Sequence, residues 1–218
     1  MPSLTNLITP LAAFLLASAT TALPTTTPVS PAPAIAVRST SCTGSGNTTQ
    51  LYASDLYPLF PGDPDLAKPA TEDFHVQYNN QTGLAISQAA HFGGLPSGAT
   101  GCAFGWSQDD ASVGVLVAGG DGLLAGRQLS GFPSDATAAR GVSSAAVAPF
   151  DTASPEDAFQ TEFTGWDREA KGTYHTSGPG KITCAEDVYL IIEKPKTTNG
   201  NVFLKKTEGA GIFIEYMC

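Results

Sequence analysis

Catalysis needs side chains that attack, move a proton or hold a metal, and this chain supplies them sparsely. His75, His91 and His175 stand far apart, without the His-Glu-x-x-His spacing that turns two imidazoles and a general base toward one zinc ion. No Gly-x-Ser-x-Gly pentapeptide offers a serine on a strand-to-helix elbow, and no Gly-x-x-x-x-Gly-Lys-Ser/Thr run cradles phosphate. His75 falls on the polar face of an expected strand and reads as a solvated or surface-paired imidazole. His175, between Gly172 and Gly178 in a loop-like stretch, is open to either role.

Glycoside hydrolysis runs on two carboxylates held at a fixed separation. Asp109-Asp110, Glu186-Asp187 and Glu162 are the available groups, but with 20 Asp and Glu in the chain each is expected to be solvated loop charge. No catalytic residue is assigned. Calcium selects hard oxygen ligands on loops, which Asp63-Pro64-Asp65 and Asp109-Asp110 would offer, although no twelve-residue calcium loop is present. No metal ligand or cofactor is assigned, calcium being the ion considered for these loops. A sugar-binding surface stacks aromatic rings on pyranose faces, so Trp166, His175 and Trp106 form the candidate ligand set. Within it, Gly105-Trp106-Ser107 follows an expected strand from Cys102, and a core position beside a disulfide is preferred for that tryptophan. Trp166, in Gly165-Trp166-Asp167-Arg168, is open between core and ligand platform.

The compartment is written at the N-terminus. Leu11-Ala12-Ala13-Phe14-Leu15-Leu16-Ala17 is an uncharged run too short to span a bilayer, followed by the small residues Ala17-Ser18-Ala19 and Thr20-Thr21-Ala22. That layout predicts a signal peptide over residues 1–22, cleaved after Ala19 or Ala22, although no Lys or Arg precedes the apolar run. Residues 23–41 hold Pro24, Pro28, Pro31 and Pro33 among Thr, Ser and Ala, which predicts a disordered linker. Arg38 would be a processing site only on the evidence of one basic residue. Residues 42–218 then form a single domain.

Export would oxidise Cys42, Cys102, Cys184 and Cys218 into two disulfides, with three pairings open. We favour Cys184 with Cys218, which bracket one expected sheet segment, leaving Cys42 with Cys102. Each would contribute about 4 kcal/mol in the chain-entropy account. Asn47-Thr48-Thr49 and Asn80-Gln81-Thr82 are sequons, so Asn47 and Asn80 are expected to carry glycan at the surface. The formal net charge of −9 and pI near 4.6 repel nucleic-acid phosphates and anionic membranes, and neither is an expected partner. The stretch from Gly211 to Cys218 is short and carries the charge of Glu215, so a glycolipid-anchor signal is not expected.

Strand signals dominate from Cys42 onward. Phe74, Val76 and Tyr78 alternate with His75 and Gln77, and Asn79 to Gly83 turns the chain toward Leu84 and Ile86, which predicts a hairpin. Val113, Val115 and Val117 should pair with the segment at Leu123-Leu124 across Gly119-Gly120-Asp121-Gly122. Val188 to Ile192 is apolar on both faces, as a central strand covered twice would be. With Val202 to Leu204 and Ile212 to Ile214 it predicts a three-stranded meander. Helix signals are few. Ser154-Pro155-Glu156-Asp157 would start a short helix through Phe159 and Gln160, and the Ala-rich stretch 136–148 reads as loop with room for one short helix. The expected fold is all-β, an antiparallel β-sandwich of jelly-roll or immunoglobulin-like kind with at most one or two short helices.

Leu95-Pro96-Ser97-Gly98-Ala99-Thr100-Gly101-Cys102, Cys184-Ala185-Glu186-Asp187-Val188-Tyr189-Leu190 and the ending Gly211 to Cys218 resemble small secreted ascomycete proteins. The resemblance spans roughly residues 55–218. Some of those proteins carry a domain label borrowed from the C-terminal domain of a yeast ubiquitin-like-modifier-binding protein. The resemblance implies an extracellular fungal β-domain without an assigned activity. An exported chain does not meet cytosolic ubiquitin-like proteins, so the compartment outweighs the label. The expected function is that of a non-enzymatic, secreted protein, cell-wall associated or extracellular, binding wall polysaccharide or a host surface protein. The alternatives are a secreted carbohydrate-active hydrolase using two carboxylates and a purely structural wall component.

Overall fold

Alternating side chains build the strands: Phe74 and Val76 are buried while His75 and Gln77 are half-exposed between them. The computed structural model describes residues 42, 46–108, 115–164 and 174–218, all within one compact unit, Arg38–Cys218. Trp166 and the Asp109-Asp110 pair lie outside the described residues. In chain order the described strands are β1 Thr48–Tyr52, β2 Asp55–Leu59, β3 Phe74–Asn79, β4 Leu84–Gly93, β5 Thr100–Ser107 and β6 Val115–Ala118. They continue with β7 Leu123–Gln128, β8 Phe159–Glu162, β9 Tyr174–Thr176, β10 Asp187–Glu193, β11 Gly200–Leu204 and β12 Gly211–Met217. Every pairing among them is antiparallel. One sheet has the order β1-β12-β5-β9, and the larger one runs β6-β11-β3-β4-β10-β7-β8 with β2 added against β4. The all-β, sandwich-like architecture expected from the sequence is what forms.

The larger sheet curls. Only residues 119–122 join β6 to β7, a span of at most roughly 19 Å. Five strand spacings separate those strands along the sheet, which would take about 24 Å if it were flat. The curl brings the β6–β7 turn against the β10–β11 turn. Gly120 has φ +156°, and a Cβ there would sit 2.0 Å from the Asn199 carbonyl oxygen, so no other residue fits the approach. The Asp121 N–H donates to that same oxygen at 3.1 Å.

Lys194 closes this end of the sheet. Its side chain is 1% exposed and donates to the Asp121 carboxylate, to the Leu123 carbonyl at 3.0 Å and to Thr198 Oγ1 at 2.8 Å. Burial pulls the Asp121 carboxyl upward, but hydrogen bonds from Lys194, the Leu123 N–H and Thr198, with the Lys194 charge, outweigh it and hold the group below its ordinary value. A depressed carboxyl stabilises the fold fully above its unfolded value of about 3.9, and that contribution is lost as pH falls through the folded value. Asp121→Asn should therefore flatten the acid limb of a denaturant-midpoint curve recorded from pH 7 down to pH 2. An acid limb identical to that of the native chain would refute the assignment.

The main core lies between the sheets. Phe104, Trp106, Ile212 and Ile214 meet Phe74, Phe92, Leu190, Ile192 and Val202, each no more than 2% exposed. Trp106 stacks on Phe163 with ring centroids 4.5 Å apart, and Phe104 stacks on Phe159 at 4.9 Å. A second, smaller cluster covers the outer face of the larger sheet. There Tyr57, Leu59 and Ala89 pack under Leu129, Val142 and Val147, with Phe132, Phe150, Tyr189 and Ile191 half-buried at its margin. Strand β10 is consequently covered on both faces, as its two-sided apolar sequence predicts.

Several expectations give way. The hairpin from β3 to β4 forms, with Gln77 opposite Ile86. The three-stranded meander does not: β10 lies between β4 and β7, β11 between β3 and β6, and β12 between β1 and β5. Each strand finds a more distant partner because the last three are shared between two sheets and opposite ends of the curl. For the same reason β6 pairs with β11, and β7 pairs with β10 and β8, in place of the hairpin across Gly119 to Gly122. Pro155–Asp157 is a single 3-10 turn, and Phe159 and Gln160 open strand β8 where a helix was expected to continue. The Ala-rich stretch holds two helical turns, α1 Asp135–Ala138 and α2 Ser144–Val147, followed by a 3-10 turn at Ala148–Phe150.

The disulfides also differ from the favoured pairing. Cys42 bonds Cys218, and Cys102 bonds Cys184. Strand β1 runs antiparallel to β12, with Thr48 opposite Met217 and the Gly46 N–H donating to the Cys218 carbonyl, so the chain entering the domain meets the chain leaving it. Cys102, on β5, meets the segment that leads into β10 from the other sheet. The second bridge thus ties the two layers together.

Candidate functional site: a polar groove beside an aromatic stack

The outer face of β10 carries Asp187, Tyr189, Ile191 and Glu193, the residues alternating with its core positions Val188, Leu190 and Ile192. In register, His91 of β4 stands beside Tyr189 on one side and beside Asp55 of β2 on the other. His91 Nδ1 lies 3.4 Å from Asp55 Oδ2, and Nε2 lies 3.0 Å from Asp187 Oδ1. Only the imidazolium donates from both nitrogens at once. Gly93 makes this arrangement fit, since a Cβ there would stand 3.1 Å from both Asp187 Oδ1 and the imidazole edge. The paired carboxylates of a glycosidase leave room between them for a scissile bond. Asp55 and Asp187 have an imidazole in that space.

Aromatic rings continue outward from His91. Tyr189 stacks on His91 with centroids 4.6 Å apart, Phe132 stacks on Tyr189 at 4.9 Å, and Tyr57 tilts against Phe132 at 5.4 Å. Both faces of Tyr189 are therefore covered, and it presents an edge and a hydroxyl. Burial first, then the charges of Asp187 and Asp135, raise its phenol above the ordinary value. Burial, followed by Asp55 and Asp135, does the same at Tyr57. Both phenols stay neutral hydroxyl donors.

Beside the stack opens a groove of about 600 Å³, lined among others by Gln128, Ser130, Thr152, Asp157, Lys181, Asp187 and Tyr189. Its walls are braced by hydrogen bonds. The Thr183 N–H donates to Gln128 Oε1 at 2.7 Å, and Gln128 Nε2 donates to the Thr183 carbonyl at 3.0 Å, fastening the segment before β10 to β7. Lys181 Nζ donates to the Glu156 carbonyl, and Ser130 Oγ to that of Phe150 at 3.0 Å. Thr152, Asp157, one Asp187 oxygen and the Tyr189 hydroxyl have no partner in these braces. The groove offers both donors and acceptors, beside the apolar side chains of Leu129, Ala153, Ile182 and Ala185.

The candidate ligand set does not assemble here. Trp106 is 0% exposed in the core and is removed from it, because β5 turns that face toward the facing sheet. The His175 backbone pairs with Trp106 on edge strand β9, in the smaller sheet, and its side chain lies outside what the structure describes. Trp166 likewise falls outside the described residues. Sequence reasoning missed Tyr189, His91 and Thr152. Tyr189 was read as part of a strand apolar on both faces, and His91 only as one of three separate histidines, so neither was marked as belonging to a site.

Other sequence candidates fall into place. His75 Nε2 pairs with Asn201 Oδ1 at 2.8 Å, a surface-paired imidazole as expected. Glu162 accepts from the Thr164 N–H at 2.8 Å and from its hydroxyl, within one turn. Among the described residues no group of three or more His, Cys, Asp or Glu side chains is placed to hold a metal ion, Asp63 and Asp65 included. Asn47 and Asn80 are exposed. Asn80 uses its side-chain oxygen to accept from Asn199 Nδ2 at 3.1 Å. No family profile matches the chain, and neither the curated proteins nor the solved structures contain a significant match to it. The two disulfides are compatible with an extracellular protein, and among the described residues no helix is long and apolar enough to cross a membrane.

Proposed function

We propose that this is an exported, non-enzymatic glycan-binding protein of the fungal wall or extracellular matrix, holding a neutral oligosaccharide in the groove beside Tyr189. The groove itself carries the reading: about 600 Å³ of open space lined by hydroxyls, an amide, an ammonium and carboxylates suits a ligand that both donates and accepts at every ring. Recognition here proceeds by hydrogen bonding at the edge of the aromatic row, since the faces of Tyr189 are occupied. The acidic body of the chain favours neutral polymers over anionic ones. The signal-peptide layout, the sequons and the two disulfides support export, and the resemblance to secreted ascomycete proteins supports the wall as the setting.

Retention on insoluble chitin, β-glucan and mannan, followed by calorimetry with the matching oligosaccharide, tests this. Thr152→Val should weaken binding roughly 2- to 10-fold, the effect of one neutral hydrogen bond, and Asp157→Ala by about 10-fold or more, as befits a charged acceptor. Failure of the native protein to bind any of the three polymers would overturn the reading.

A further inference from the structure

A second cavity lies on the same outer face of the larger sheet, under the helical turn α2. It measures about 190 Å³ and is walled by Leu59, Val147 and Ile191. Its polar wall holds Ser87, which is 5% exposed, together with Ser144 and the ion cluster of Arg127. Two observations make it more than a packing defect. The Ser144 hydroxyl oxygen is buried and has no hydrogen-bond partner among the described residues, and a buried hydroxyl of this kind is ordinarily satisfied. The neighbouring Ser143 hydroxyl, by contrast, caps the helical turn by accepting from the Ala146 N–H at 3.2 Å, so the local fold does not call on Ser144.

Charge decides what can enter. Arg127 Nε and Nη2 donate to Asp151 at 3.0 and 2.7 Å, while Nη1 donates to Glu193 at 2.7 Å. One cation faces two carboxylates, so the cluster carries a net negative charge and repels anions. The remaining guanidinium N–H groups and the serine hydroxyl still donate to a neutral oxygen. An apolar cavity of about 150 Å³ accepts benzene, so this slightly larger one accommodates a single ring bearing one polar substituent. We propose that the cavity under α2 is a binding site for a small neutral alcohol or phenol of monocyclic size, its oxygen held by Ser144 and its ring against Leu59, Val147 and Ile191. This site does not depend on the glycan groove, which shares none of its lining residues.

Titration of the 15N-labelled protein with benzyl alcohol, toluene and benzoate, read by amide chemical shifts, tests the site. Benzyl alcohol should give saturable shifts at Ser87, Ser144 and Ile191. Toluene should bind about 5- to 10-fold more weakly, and benzoate should not bind. Ser144→Ala should bring benzyl alcohol down to the toluene affinity without altering the rest of the spectrum. Glu193→Gln, which neutralises the cluster, should admit benzoate. Absence of saturable shifts with benzyl alcohol would overturn the proposal. So would equal affinities for benzyl alcohol and toluene, or shifts that Ser144→Ala leaves unchanged.

Discussion

Trp106→Ala is expected to lower the unfolding free energy by about 3–5 kcal/mol, the range found when a large buried aromatic is truncated. The indole is 0% exposed and stacks on Phe163 at 4.5 Å, and Phe163 in turn stacks on Phe74 at 6.1 Å, so its removal opens a cavity at the centre of the sandwich. Because small domains hold only about 5–15 kcal/mol in total, the loss should appear as a denaturant midpoint displaced far toward water. Trp106→Phe should recover part of it by keeping a ring against Phe163. Glycan retention by the folded fraction of either variant should be unchanged, since the groove lies on the other face of the larger sheet. A Trp106→Ala protein of native stability that had lost its ligand would return this residue to the binding surface.

Removing the bridge between the layers should be comparably severe. Cys102 and Cys184 are 82 residues apart, and closing a loop of that length stabilises by about 4–5 kcal/mol in the chain-entropy account. Cys102 is also 1% exposed, so the Cys102→Ala/Cys184→Ala protein loses buried contacts besides the crosslink. The Cys42–Cys218 bridge spans 176 residues, and the same account gives it about 5 kcal/mol. It fastens the segment before β1 to the residue after β12, and those strands already pair, so its removal should free the edge of the smaller sheet and leave the sandwich core intact. Denaturant unfolding of the two double variants measures both effects, and hydrogen exchange shows where each acts. A non-reducing peptide map that joined Cys184 to Cys218 would sink the argument at its root.

The strands themselves were legible because a period of two is local. Phe74 and Val76 declare a buried face, and the unbroken apolar run Val188 to Ile192 a strand covered on both, without reference to anything distant. The pairing of those strands was not. Asn199-Gly200 and Gly209 to Gly211 do reverse the chain, yet the strands they join go to different neighbours, because a turn fixes direction and only side-chain packing fixes the partner. The groove was illegible for the same reason. Gln128, Thr152, Lys181 and Tyr189 belong to four separate segments, and nothing in their spacing marks them as one surface. The chemistry at His91 is an instructive middle case. The start of its strand was readable at Leu84 and Ile86, but its two carboxylates come from β2 and β10, brought alongside by ladder register.

By itself, then, the sequence determined an antiparallel β protein with an oxidisable set of cysteines, since alternation, turn chemistry and residue count are properties of short stretches. Tertiary structure alone decided which cysteines meet, that Trp106 belongs to the core, and that an imidazole, a tyrosine edge and a polar groove share one face. Those outcomes depend on how two sheets divide the strands and on how far one of them curls, and both are set by contacts between residues remote along the chain.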